Sequence, residues 1–254
     1  MTSYKVFSAS VIGSSHVKTN LPCHDAHLVR LFNDDKSLIA CISDGMGSAK
    51  KAQIGSALST ECLVDYLQDN LDPTSDDDTI IETIKTGFFE VHKRLEEEAE
   101  IESIDIKDLN ATLMVFIAVD DERQFVAQVG DCVTIALDDE TDEYSIIIHP
   151  QKGEYANQTY SICNKESIEN GAYYKLEKPY KKIAMMSDGI ESFTIDTATE
   201  KVSKGFFDPF FNAFDKEHFT EENASLSLSK FLNTERINKK TDDDKTLVFI
   251  KILS

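Results

Sequence analysis

No apolar run in the chain approaches the roughly 20 residues that a bilayer-spanning helix needs, which excludes a helical membrane anchor. The amino terminus, Met1-Thr2-Ser3-Tyr4-Lys5-Val6, also lacks the basic segment and apolar stretch of a secretory signal, so a cytoplasmic location is expected. No proline- or glycine-rich stretch marks a linker, and the 254 residues suffice for one sizeable core, so residues 1–254 read as a single domain. Basic residues are scarce. Against 46 Asp and Glu stand 26 Lys and Arg, a net charge of -20, which argues against a phosphate backbone as partner and disfavours anionic membrane surfaces. Cysteine is thin and scattered: Cys23, Cys41, Cys62, Cys132 and Cys163 form an odd set with no close pair to chelate zinc or run disulfide exchange, which suits a reducing compartment.

What the chain does contain is ordered by hydrophobic period. Tyr4 to Val11, Ala26 to Phe32 and Ser37 to Ile42 read as strands, and the last, nearly continuous in apolar residues, should be the buried one. After Gly47 the spacing turns helical through Asp69, and a second helix runs from Thr79 to about Glu100, so the two should form an antiparallel hairpin. Strands return at Thr112 to Val119, Gln124 to Val129, Val133 to Leu137 and Tyr144 to Ile148, and their short polar turns suggest a meander. Residues 150–180 read as loop, short helix and weak strand. The phenylalanine cluster from Phe206 to Phe214 reads as core under a helix from Glu221 to Leu232, with a docking surface as the alternative, and Thr246 to Leu253 is the last strand. The layout is α+β, two sheets with helices outside.

Four short acidic patches punctuate this pattern at strand ends: His24-Asp25, Ser43-Asp44-Gly45-Met46-Gly47, Met186-Ser187-Asp188-Gly189 and Asp243-Asp244-Lys245-Thr246. Asp44 and Asp188 each follow an apolar run and precede glycine, as expected of a strand that delivers a side chain and then turns sharply. Convergent carboxylates with a backbone carbonyl are the ligands that magnesium and manganese prefer, whereas zinc favours histidine and cysteine. Two such ions sharing one carboxylate neutralise a transferring phosphoryl group, so metal-assisted hydrolysis of a phosphate ester is the expected reaction. Each motif alone is also an ordinary turn or a capped strand entry.

Taken in order, Asp25, Asp44-Gly45-x-Gly47, Gly130-Asp131, Ser187-Asp188-Gly189 and Asp243-Asp244-x-Thr246 resemble the metal-dependent protein phosphatases, the type 2C serine/threonine phosphatases. Leu21-Pro22-Cys23-His24-Asp25-Ala26, Gly153-Glu154-Tyr155-Ala156-Asn157 and Thr241-Asp242-Asp243-Asp244-Lys245-Thr246 are similar to a compact, stand-alone bacterial branch of that family. The resemblance covers essentially the whole chain. It implies a sandwich of two antiparallel sheets flanked by helices, in four αββα layers. It implies two Mn2+ or Mg2+ ions bridged by Asp44, with the Gly45 carbonyl, Asp188 and Asp243 as further ligands, Asp25 holding a water, and Asp131 at a third site. The expected activity is hydrolysis of phosphoserine and phosphothreonine by a metal-activated water without a phosphoenzyme, on a phosphoprotein substrate and opposing a bacterial Ser/Thr kinase. Rivals on the same scaffold are a non-catalytic phospho-residue- or metal-binding module and a small-molecule phosphatase.

The chain departs from its relatives around that acidic centre. Asn20 stands where many carry an arginine that clamps the substrate phosphate, which leaves His16 or Lys18 as candidates for the positive charge. His24 stands where glutamate or a related polar residue is usual. Either a ligand or a water-holding role there needs neutral imidazole, and activity would then fall on acidification through roughly pH 6.5. The alternative is a packed, hydrogen-bonded residue. Met46 replaces the histidine proposed as general acid in animal relatives, and methionine donates no proton. At the family's further acidic position stands Ser192, with Glu191 one residue early. The segment 153–157 reads as an active-site loop acting through Asn157 or Lys152, with an ordinary connection as the alternative.

Overall fold

The computed structural model describes residues 2–151, 160–196 and 198–253. In chain order the first half gives β1 (Ser3–Val11), α1 (Ser14–Thr19), β2 (Ala26–Phe32), β3 (Ser37–Ser43), α2 (Ala52–Asn70), α3 (Asp77–Glu102), β4 (Leu113–Ala118) and β5 (Gln124–Val129). There follow β6 (Val133–Asp138), β7 (Glu143–Ile148), α4 (Lys165–Glu169), β8 (Ala172–Lys175), β9 (Lys182–Met186) and α5 (Glu191–Thr194). The chain ends with β10 (Ile195–Asp196), β11 (Lys201–Val202), α6 (Lys204–Phe211), α7 (Glu221–Leu232), α8 (Glu235–Asn238) and β12 (Lys245–Leu253). The architecture is α+β with two five-stranded antiparallel sheets.

These elements fall into two compact units. One, drawn from Met1–Cys23, Val133–His149 and Tyr180–Ser254, holds the sheet β1-β12-β9-β6-β7 and the small ribbon β10-β11. Its core is aromatic. Phe249 of β12 lies 4.9 Å from Phe7, 5.0 Å from Phe210 and 5.2 Å from Phe211, ring centre to ring centre. The phenylalanine cluster expected as core divides: Phe207, Phe211 and Phe214 are buried, while Phe206 and Phe210 are only half-buried.

The other unit, His24–Cys132 with Pro150–Pro179, holds the sheet β2-β3-β4-β5-β8. Every residue of β3, β4 and β5 is buried, on both faces, which accounts for their unbroken apolar runs. The helices α2 and α3 pack on one another and cover this sheet with Leu63, Leu67, Ile84, Phe88 and Leu95. Asp76 starts α3, its carboxylate accepting the Thr79 N–H at 2.9 Å, with Asp77 and Asp78 at the positive end of the helix dipole.

Two expectations need correction. The strands from Thr112 to Ile148 are not one meander: β4-β5 and β6-β7 are hairpins in different sheets, and the chain changes sheet across Gly130-Asp131-Cys132. The helix after Gly47 begins at Ala52, because residues 46–51 form a turn in which Ala49 N–H donates to the Met46 carbonyl and Lys51 N–H to that of Asp108. The segment 153–157, with Lys152, lies outside the described residues.

Candidate active site

In the β2-β3-β4-β5-β8 unit, register brings acids to one end of the sheet. Ala26 opposite Ser43 sets Asp25 and Asp44 just beyond the shared end of β2 and β3, and Leu113 opposite Val129 sets Thr112 and Gly130-Asp131 at that same end. Thr112 fixes Asp44. Its N–H donates to the Asp44 carbonyl at 2.8 Å and its Oγ1 accepts the Asp44 N–H at 2.9 Å, so the carboxylate leaves a pinned backbone. Gly45 follows in a bridge with Ala111, and a Cβ there would lie 2.7 Å from the His24 carbonyl oxygen, so only glycine lets the two acidic segments approach so closely. His24 and Asp25 are buried, and Asp44 and Asp131 are half-buried.

The Cys132 thiol records the resulting field. Burial raises its pKa first, and the Asp44, Asp131 and Asp25 carboxylates raise it further, against a hydrogen-bonding contribution from Thr112. Three carboxylates acting on one point repel one another, an arrangement that a divalent cation relieves. Burial also raises Cys41, and it lifts Cys62 to about 11 and Cys163 to about 12. These four thiols stay protonated at neutral pH and offer no phosphate-attacking thiolate.

The other unit carries the remaining acids in the same manner. Val11 opposite Lys245, and Leu247 opposite Met186, place residues 12–16, Asp243-Asp244 and Ser187-Asp188 at one end of β1, β12 and β9. Ser187 N–H donates to the Thr246 carbonyl at 3.2 Å, and Thr246 N–H to Ser187 Oγ at 3.0 Å, which ties the two acidic loops together. Asp188 and Asp243 are exposed, whereas Asp244 is buried.

No separate role for Asp244 is legible in the sequence alone. Its Oδ1 accepts the Gly13 N–H at 2.6 Å, and its Oδ2 lies 2.9 Å from His16 Nδ1, which fixes the orientation of the ring. Lys18 extends into solvent. Asn20 caps α1 in the left-handed conformation (φ 56°), which asparagine adopts more readily than arginine. Ser192 lines a cavity under α6 and α7, and Met46 anchors its turn by donating its N–H to the Asn110 carbonyl at 3.0 Å.

Antiparallel sheets whose strand ends deliver mainly carboxylates, with His24 and His16 beside them and no activated thiolate among the four raised thiols, define a class: hydrolytic enzymes working through hard divalent cations. The sequence profile of the protein phosphatase 2C family matches residues 12–233, and the chain belongs to that family. It is 27% identical over 252 residues to serine/threonine-protein phosphatase 3 of Escherichia coli K12, covering 96% of this chain and 97% of that protein. Among solved structures it is similar to the serine/threonine phosphatase of S. agalactiae (TM-score 0.67, 13% identity, 98% of this chain and 99% of that one). It is also similar to PppA, a regulatory component of T6SS in Pseudomonas aeruginosa (TM-score 0.62, 16% identity, 100% of both chains). No helix among the described residues is long and apolar enough to cross a membrane.

Proposed function

We propose that the chain, acting as a single catalytic domain, is a Mn2+- or Mg2+-dependent phosphatase for phosphoserine and phosphothreonine in proteins, opposing a Ser/Thr kinase. The observation that carries this reading is the pinned Asp44, set at one sheet end with Asp25 and Asp131, in a chain of the protein phosphatase 2C family. In this proposal Asp44 bridges two cations, with Gly45, Asp188 and Asp243 as further ligands. Asp25 orients a water, and Asp131 belongs to a third, weaker site. The donor chemistry fits, since all these groups are carboxylates or a backbone carbonyl. When bound, such cations polarise the phosphoryl oxygens and lower the pKa of water.

The protein's own share is alignment. Thr112 holds the Asp44 backbone, and the Ser187–Thr246 pair holds Asp188 and Asp243 in register. His16, oriented by Asp244, takes the phosphate-binding place that arginine fills in relatives, in preference to solvated Lys18. Met46 gives no proton to the leaving group, so aryl phosphates with good leaving groups are favoured over alkyl ones.

Purified protein is expected to hydrolyse para-nitrophenyl phosphate and a phosphothreonine peptide only with Mn2+ or Mg2+, and chelation should abolish both activities reversibly. Tight phosphopeptide binding without turnover would instead support a non-catalytic module. For His16→Ala, KM should rise about tenfold or more, in line with the ~1.5–3 kcal/mol of a charged hydrogen bond, with kcat far less affected. An equal loss in Lys18→Ala and none in His16→Ala would reverse the assignment.

A further inference from the structure

The unit built on β1, β12 and β9 contains a concavity separate from its acidic sheet end. It is a cavity of about 900 Å³ under α6, α7 and α8, at the upper end of the range of roughly 300–1,000 Å³ for small-molecule sites. Its wall is aromatic: Phe206, Phe210, Phe219 and Phe231 line it, and all four remain only half-buried. Phe206, Phe210 and Phe231 form a mutual edge-to-face and tilted cluster with centroids 5.2–5.9 Å apart, so the wall is packed and preformed.

The mouth has a charge opposite to that of the molecule. Lys216, Arg236 and Lys240 line the cavity and are exposed, and Glu217 is the one acid among its lining residues. Among the described residues none of the three cations forms an ion pair, whereas the neighbouring Lys204, Lys239 and Lys251 each hold a carboxylate. Lys240 instead lies 5.3 Å from the centre of the Phe193 ring, and Phe193 also lines the cavity. In a chain of net charge -20, three cations without carboxylate partners around an apolar hollow complement an anion with an apolar body.

We propose that this cavity is a binding site for a long-chain carboxylate: the acyl chain lies along the phenylalanine wall and the carboxylate meets Arg236 and Lys240, which stand one helical turn apart at the α8 end, while Lys216 adds positive charge at the far end. The concave form favours a small ligand over a folded partner. The site uses none of the residues assigned to phosphate hydrolysis, so it stands or falls independently of that activity.

The test is calorimetric titration of the full chain with dodecanoate below its micellar concentration, beside dodecanol and dodecyltrimethylammonium. Dodecanoate is expected to bind once per chain in the micromolar range. Dodecanol should bind at least tenfold more weakly, and the cation not at all. The double variant Arg236→Glu, Lys240→Glu should weaken dodecanoate at least tenfold without lowering Tm, since both side chains are exposed. Ala224→Phe, which adds a ring inside the cavity, should abolish binding. The proposal is overturned if dodecanoate does not bind, if the charge-reversed chain binds it as tightly, or if the cationic amphiphile binds equally well. It is also overturned if an acidic aromatic peptide binds where dodecanoate does not, which would make the face a protein-docking surface.

Discussion

Asp44→Asn is expected to lower the manganese-dependent kcat/KM by about three orders of magnitude while leaving the fold intact. The magnitude follows from the several kcal/mol that cations contribute to charge stabilisation, at about 1.4 kcal/mol per factor of ten. The fold should survive because the Thr112 contacts of Asp44 involve only its backbone N–H and carbonyl, which asparagine retains. Without metal the variant should be at least as stable as the native chain, because one of the carboxylates crowding Cys132 has gone. With manganese the native chain should gain Tm and the variant gain little, since a ligand that binds only the folded state stabilises it by mass action. Thermal melts with and without manganese, run beside the kinetics, check both halves. A variant that loses activity because it unfolds would show a lower Tm without metal, and the assignment of Asp44 would then lose its support.

Gly189→Ala should be the most damaging of the small changes. A Cβ at Gly189 would lie 1.9 Å from the Asp244 carbonyl oxygen and 3.4 Å from Asp243 Cβ. That oxygen belongs to the backbone, so the Asp243–Asp244 loop must shift. Overpacking of this kind costs about 1–3 kcal/mol or more, and in a chain of this size Tm should fall by about 5–10 °C. Activity should fall further than stability does. Displacing Asp243, the proposed ligand, and Asp244, the anchor of His16 and Gly13, would misalign the groups assigned to the reaction, and a displacement of about 1 Å can cost about a hundredfold. Differential scanning calorimetry and kcat/KM on the same preparation would separate the two effects. Unchanged activity in a folded Gly189→Ala protein would show that the loop's position is not critical to turnover.

Much of this was legible in the sequence, for physical reasons that vary along the chain. The strand Ser37–Ser43 and the helix over 77–102 were readable because local hydrophobic period and burial agree there, whereas the helix over 52–70 was readable in extent but not in face, since it buries Gly55, Ser56, Ser59 and Thr60 beside Leu63, Val64 and Leu67 and leaves Ile54 and Leu58 only half-buried. Asp25, Asp44, Asp188 and Asp243 stood out because each sits at a strand end beside turn-forming residues. The partition of strands into sheets was not readable: between Val129 and Val133 only three residues carry the chain from one sheet to the other, and pairing depends on distant partners such as Met186. The short helix Ser14–Thr19 buries none of its residues and so leaves no period to detect. Asn20, which stands where many relatives carry arginine, also serves as a left-handed helix cap, a role that no local pattern in the sequence marks. Asp244 and Thr112 were invisible as organisers, because their roles are hydrogen bonds to residues 231 and 68 positions away. The phenylalanine cluster was read as one body, whereas helical geometry in α6 turns Phe207 and Phe211 inward and leaves Phe206 and Phe210 on the cavity wall.

The central claim is that Asp44 is shared by two divalent cations whose other protein ligands include Asp188 and Asp243. A crystal structure of the full chain grown with manganese, with anomalous scattering recorded at the manganese edge, tests it most directly. The expected result is two well-occupied ions on either side of the Asp44 carboxylate, one of them also held by Asp188 and Asp243. A single ion away from Asp44, or manganese bound with Asp188 and Asp243 both uninvolved, would contradict it.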